Sequence, residues 1–166
     1  HAYVMEIPNY HKPLIISDAA VNIAPDLSVK ADITQNAIHL WTALFGNEWL
    51  PKVALLAAVE MVNPNMQATI DAACLCKMAD RGQIKGGILD GPLAFDNAIN
   101  AEASKSKGIV SDVAGDPDIL IAPNLESANI MSKELTFLAN AEAAGIILGA
   151  RIPIILTSRA DSLQTK

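Results

Sequence analysis

Three observations predict an α/β fold with a mainly parallel sheet flanked by helices. Short aliphatic runs alternate with longer segments of helical periodicity, roughly ten to twenty residues apart, which is the pattern of βαβ units. Glycines and prolines fall mostly between these segments, not inside them. Hydrophobic residues make up 51% of the 166-residue chain but aromatics only 4%. The core must therefore be built from Ile, Leu, Val and Ala, as buried parallel sheets are.

The elements follow in order. "PLIIS", Pro13 to Ser17, reads as a buried strand ending in Asp18. "LSVKADITQNAIHLWTALFG" reads as a helix with Ser28 as N-cap, an apolar face at Ile33, Ala37, Ile38, Leu40, Trp41 and Leu44, and a stop at Gly46. Lys52 to Ala57 is a second strand, and "MQATIDAACLCKMAD" a second helix with Ile70, Ala73, Cys74 and Lys77 one turn apart. "KGGILDG" is a third strand and Asp118 to Ala122 a fourth. "LESANIMSKELTFLANA" is a helix with Ile130, Leu135 and Leu138 inward. "AGIILGA" and "IPIILTS" close the chain as short strands.

Ligands of parallel α/β sheets lie outside the carboxyl ends of the strands. That directs attention to Asp18, Glu60, Asp90, Pro123–Asn124 and Thr157–Ser158–Arg159. In "DGPLAFDNAI", Gly91 permits a sharp turn, and Pro92 suits a first helical turn. Asp90 then either caps that helix or forms a cleft wall, with Phe95 packed back on the core and Asp96 outward. Asn124 or Ser127 caps the helix after the fourth strand, whose N-terminus also suits an anion. Asn129 there bonds either backbone or ligand. Four apolar residues deliver Thr157, Ser158 and Arg159 to a strand end. The Arg159 guanidinium fork suits phosphate or carboxylate, with the Ser158 hydroxyl beside it. A helix cap beside a surface arginine reads the same residues equally well.

Several classes are disfavoured. The net charge of −6 and the scattered basic residues lack a nucleic-acid footprint. No apolar run reaches membrane-spanning length. Cys74 and Cys76 cannot form an ordinary disulfide from two positions apart on a helix, so they read as buried residues in a reducing compartment. The three histidines show no metal-ligand spacing with them, so no metal is expected. There is no Gly-x-Gly-x-x-Gly turn and no Walker loop. With His1 in place of Met and no signal peptide ahead of the fold, the expectation is a piece of a longer cytoplasmic protein.

Together "ISDAAVNIAPD", "LLAAVEMVNPNM", "DGPLAFDNAI", "SDVAGDPDILIAPNLESANIMSKEL" and "AAGIILGARIPIILTSRADS" resemble the phosphate acetyltransferase/phosphate butyryltransferase family, in order along essentially the whole chain. The similarity is greatest to butyryltransferase-like members, including those that follow a hydratase-like domain. The resemblance implies an isocitrate/isopropylmalate dehydrogenase-like fold of two lobes with a cleft between them. It implies a homodimer made largely through the second lobe. Residues 1–144 resemble that second lobe, and residues 145–166 the return toward the first. The implied reaction moves a short acyl group between coenzyme A and inorganic phosphate, with coenzyme A a substrate and no cofactor. Ser158 and Arg159 match the family's catalytic Ser-Arg pair. Asp90, Asn129 and Thr157 would line the cleft for coenzyme A and phosphate or acyl phosphate. The family's proposed aspartate base, seven residues after the serine, is Thr165 here, a departure that leaves the thiol base open. The resemblance has a non-catalytic alternative, an acyl-coenzyme A-sensing and oligomerisation module like the C-terminal region of some malic enzymes. A dehydrogenase of the same fold would need a helix-spaced cluster of metal-binding aspartates, which the sequence lacks.

Overall fold

The computed structural model describes residues 1–152 and 154–155. In chain order these form β1 (Ala2–Glu6), β2 (Leu14–Ser17), α1 (Leu27–Phe45), β3 (Lys52–Leu56), α2 (Gln67–Asp80) and β4 (Ile88–Leu93). There follow α3 (Phe95–Ile99), α4 (Ala101–Ser106), β5 (Ile119–Ile121), α5 (Leu125–Leu138), β6 (Glu142–Ile147) and β7 (Ile154–Ile155). The strands make one sheet in the order β4-β3-β5-β2-β1-β6-β7. β4, β3, β5 and β2 are mutually parallel. β1 is antiparallel to both β2 and β6, and β7 is antiparallel to β6. Five strands thus share one direction, and β1 and β7 oppose it. The expected mainly parallel α/β sheet holds, with one strand the sequence does not mark, β1 between β2 and β6: "AYVME" is short and carries neither a long aliphatic run nor a turn signal at its start.

Side chains alternate along a strand, and here the alternation splits the core in two. Ile15, Val53, Leu55, Ile119 and Ile121 pack with Ile33, Ala37 and Ile38 of α1 and with Ala72 and Leu75 of α2. Leu14, Ile16, Ala54, Leu56 and Leu120 pack on the other face with Ala98 of α3 and Ala128 of α5. All four residues of β2 are buried, which is why its sequence reads as an unbroken apolar run. The chain moves outward from β2 to β3 to β4 through α1 and α2 on one face. It returns to β5, and then to β6, through α3, α4 and α5 on the other. Connections of a single hand require this change of face when the direction of travel reverses.

Local chemistry sets the helix ends. Asp26, not Ser28, caps α1: its carboxylate accepts from the Val29 N–H at 2.9 Å and from the Ser28 hydroxyl at 2.8 Å. A carboxylate one residue before the helix takes both donors, so the serine becomes a supporting group. Gly46 ends α1 at φ 88°, where a side chain would be strained, and its N–H donates to the Thr42 carbonyl. Asn124 caps α5 through the Ser127 N–H.

The expected inward face of α5 is corrected. Ala128 and Ser132 are buried, with Met131 and Leu135 packed beside Ala128, whereas Ile130 and Leu138 are 60% and 80% exposed. The stripe at positions 128, 131, 132 and 135 has true helical spacing, but it begins with small residues that carry little hydrophobic signal. On α2 the buried residues are Thr69, Asp71, Ala72 and Leu75, not the row of Ile70, Ala73, Cys74 and Lys77.

Candidate functional site

The loops that follow β2 and β5 leave the sheet toward opposite faces, although the two strands are neighbours. Such a switch of direction opens a crevice at the carboxyl ends. Its two walls are tied together. The Asn129 amide donates to the Ala19 carbonyl at 3.1 Å, and the Leu125 N–H donates to the Ile23 carbonyl at 3.1 Å. Asn129, for which backbone and ligand roles were both open, therefore spends a side-chain donor on the β2 loop.

Asp18 organises that loop. It is 3% exposed, and its carboxylate accepts from the N–H groups of Ala20, Val21 and Asn22 at 3.0, 3.1 and 2.9 Å and from the Asn22 amide. Burial alone would raise its pKa. The Ala20 and Asn22 hydrogen bonds outweigh burial and hold the carboxyl below its ordinary range. A carboxylate so fully engaged is an anchor for the loop, not a proton acceptor.

Deeper between the helices, the Lys30 ammonium of α1 meets Asp71 Oδ2 of α2 at 2.6 Å, with both side chains under a tenth exposed. Gln67 donates to the other carboxylate oxygen at 2.8 Å. Sequence reasoning missed this pair. A lone lysine and a lone aspartate on two helices give no pattern until the helices pack.

A second polar cluster stands at the carboxyl ends of β3 and β4. Glu60 Oε2 accepts from the Asn97 amide at 3.2 Å and from the Lys107 ammonium at 3.3 Å. Lys107 also pairs with Asp96. The Asp96 hydrogen bond raises the Lys107 pKa, and the same bond lowers that of Asp96. Asn97 is fully buried, and its Oδ1 has no partner among the described residues. The expected burial of Phe95 is corrected: the residue is 38% exposed, and Asn97 and Ala98 face inward instead.

Asp90 does not end a strand or cap a helix. It lies inside β4, in register with Ala54 of β3 and, through it, with Leu120 and Ile16. Its carboxylate accepts from the Gly91 N–H at 2.8 Å, while α3 starts at Phe95 behind Ala94, with no side-chain cap. Pro92 likewise belongs to β4. β4 and β2 are three strand positions apart, roughly 14 Å at the usual spacing. Asp90 and the β2 loop that Asn129 holds therefore share an end of the sheet without touching. Gly91 is required where it stands, because an added Cβ would lie 2.6 Å from the Leu55 carbonyl oxygen. The neighbouring Cys76 thiol is pushed up to about 12, by burial first and then by Asp90 and Asp80, so it holds little thiolate at neutral pH.

At the opposite end of the sheet, Lys12 and Lys52 converge on Asp116 at 2.8 and 2.7 Å, with His11 at 2.9 Å. Thr157, Ser158, Arg159 and Thr165 lie outside the described residues, and the expected boundary between residues 144 and 145 falls within β6. Among the described residues, no group of three or more His, Cys, Asp or Glu is arranged to hold a metal, and no helix is long and apolar enough to cross a membrane.

The chain's likenesses follow the same lines. The family model described as phosphate acetyl/butaryl transferase matches residues 1–166. A phosphate acetyltransferase of Rhizobium meliloti is 58% identical over 166 residues, which are 100% of this chain and 52% of that protein. A phosphate butyryltransferase of Clostridium acetobutylicum is 46% identical over 166 residues, which are 100% of this chain and 54% of that protein. The crystal structure of a branched-chain phosphotransacylase from Enterococcus faecalis V583 superposes with TM-score 0.85 at 33% identity, covering 97% of this chain and 56% of that one. The chain spans about half the length of the relatives it matches.

Proposed function

Because the chain belongs to the phosphate acetyl/butaryl transferase family, we propose that it is one part of a cytoplasmic, homodimeric enzyme that moves a short acyl group between coenzyme A and inorganic phosphate. The observation that carries this reading is the family match along all of residues 1–166. The Ser158–Arg159 pair in the sequence supports it.

In the proposed reaction the coenzyme A thiol attacks the carbonyl carbon of an acyl phosphate. The carbon–sulfur bond forms, the carbon–oxygen bond to phosphate breaks, and the thiol proton ends on the departing phosphate. Charge grows on the carbonyl oxygen and on the leaving group, so fixed donors there lower the barrier. Arg159 would hold the phosphate oxygens through its planar fork, and Ser158 would donate to the developing charge. Thr157 would shape the same strand end. Residues 1–144 would supply the second lobe, with Asp90 and Asn129 on the cleft side, and residues 145–166 would lead back to the first. The other lobe would complete the cleft, so residues 1–166 alone would not turn over.

Thr165, in place of the family's aspartate, favours a second reading, a non-catalytic module that senses acyl-coenzyme A and assembles subunits. One assay separates the two. The complete polypeptide is mixed with phosphate and acetyl-, propionyl- or butyryl-coenzyme A, and thiol release is followed. Turnover supports the acyltransferase; binding without turnover supports the module.

A further inference from the structure

The proposed reaction takes a proton from a thiol, and an ordinary thiol, with a pKa of about 8.5, is mostly protonated at neutral pH. A group at the carboxyl ends of the strands must accept that proton as the carbon–sulfur bond forms. Few groups there have an atom to spare. Both oxygens of Asp18 are taken by the β2 loop, and both oxygens of Asp71 by Lys30 and Gln67. Asp90 lies inside β4 beside the Cys76 thiol, short of the strand end. Asp26, the cap of α1, and Glu126, in the first turn of α5, stand open to solvent. His1, next to the end of β2, is buried against the Tyr3 ring.

Glu60 differs. It follows β3, the neighbour of β5, and so flanks the crevice between the β5 and β2 loops. Its two partners converge on one oxygen: Oε2 accepts from the buried Asn97 amide at 3.2 Å and from the Lys107 ammonium at 3.3 Å. Oε1 accepts no hydrogen bond among the described residues, and the side chain is 31% exposed, so this oxygen is open to a ligand. The charged groups that face Glu60 are Lys107 and, through it, Asp96. A carboxylate turned by a fixed donor, with its second oxygen free, has the arrangement of an oriented base.

Resting on the acyltransferase reading, we propose that Glu60 is the proton acceptor for the coenzyme A thiol, with Asn97 as its positioning residue. The thiol proton passes to Oε1 as sulfur bonds the carbonyl carbon. Glu60 then gives it to the phosphate released when the carbon–oxygen bond breaks, which restores the carboxylate.

The test follows thioester formation by the complete polypeptide from coenzyme A and acetyl, propionyl or butyryl phosphate, across pH and beside melting curves. Glu60→Gln keeps an acceptor for Asn97 but takes up no proton. It should lower kcat about a hundredfold at neutral pH while the protein stays folded. Its thiolate must come from solution, so kcat/KM should climb about tenfold per pH unit between about pH 6 and 8, where the parent is nearly flat. Glu60→Asp keeps a carboxylate on a shorter arm and should lose rate yet hold the flat profile. A Glu60→Gln profile as flat as the parent's, or a Glu60→Asp profile that climbs about tenfold per pH unit, overturns the proposal. If the parent forms thioester and Glu60→Gln matches its rate, the proton goes elsewhere and the acyltransferase reading stands. If the parent forms none from any acyl phosphate, that reading fails and takes the proposal with it.

Discussion

Asn97 of α3, fully buried, donates its amide to Glu60 Oε2 at 3.2 Å and so joins the loop after β3 to the helix after β4. Glu60 also receives Lys107, so one carboxylate holds two elements at the carboxyl ends of the sheet. Asn97→Ala should cost about 1–3 kcal/mol, from the lost bond and the space left behind. Glu60→Gln keeps an acceptor and should cost under about 1 kcal/mol, since its pair with Lys107 is partly exposed. Urea denaturation of both variants checks this, and equal losses would show that the Asn97 bond is not the stronger tie.

Lys30 and Asp71 form a buried ion pair, with Gln67 on the second carboxylate oxygen. Removing one charge strands the other in the interior. Asp71→Leu should therefore destabilise the protein by about 3–5 kcal/mol, while Lys30→Met with Asp71→Leu should recover most of the loss. The melting temperatures of the single and double variants decide it. A double variant no better than the single would mean that the pair contributes through packing instead of charge.

Acid should weaken the charged cluster at the other end of the sheet. Burial works against the Asp116 carboxylate, but Lys12 and Lys52 outweigh it and bring its pKa to about 2. Its folded pKa lies below the unfolded value of about 3.9. The stability it adds is therefore present above about pH 4 and lost as pH falls toward 2. Because Asp116 is partly exposed, the effect should be small and weaker in salt. Asp116→Asn should flatten the fall in urea midpoint between pH 4 and 2. An unchanged slope would assign the acid sensitivity to other carboxyls, Asp18 foremost.

Much of this architecture is legible in the residues themselves. "LIIS", "KVALL" and "ILI" read as strands because helices cover both faces of the sheet there, and Gly46 marks the end of α1 because only glycine sits there without strain. Legibility fails where the decisive residues are small or polar. Ala128 and Ser132 face the sheet while the larger Ile130 and Phe137 are exposed. In "FDNAI" the asparagine is buried and the phenylalanine is not, since Glu60, thirty-seven positions away, supplies the partner that makes a buried amide tolerable. Asp90 reads as a strand end because Gly-Pro follows it, yet β4 continues through both residues. Long-range pairs such as Lys30–Asp71 leave no local trace at all.

Acyl transfer at the proposed Ser158–Arg159 pair is tested most directly by steady-state kinetics of the complete polypeptide. Thiol release from acyl-coenzyme A and phosphate would be measured for the parent protein, Ser158→Ala and Arg159→Ala, each with a melting curve. A charge-assisted hydrogen bond is worth about 1.5–3 kcal/mol, so losing the Arg159 fork should cut kcat/KM by about tenfold or more. Ser158→Ala should act mainly on kcat, because its bond tightens as charge develops. Near-normal kinetics in both variants, with the proteins folded, would contradict the assignment and place the chemistry elsewhere.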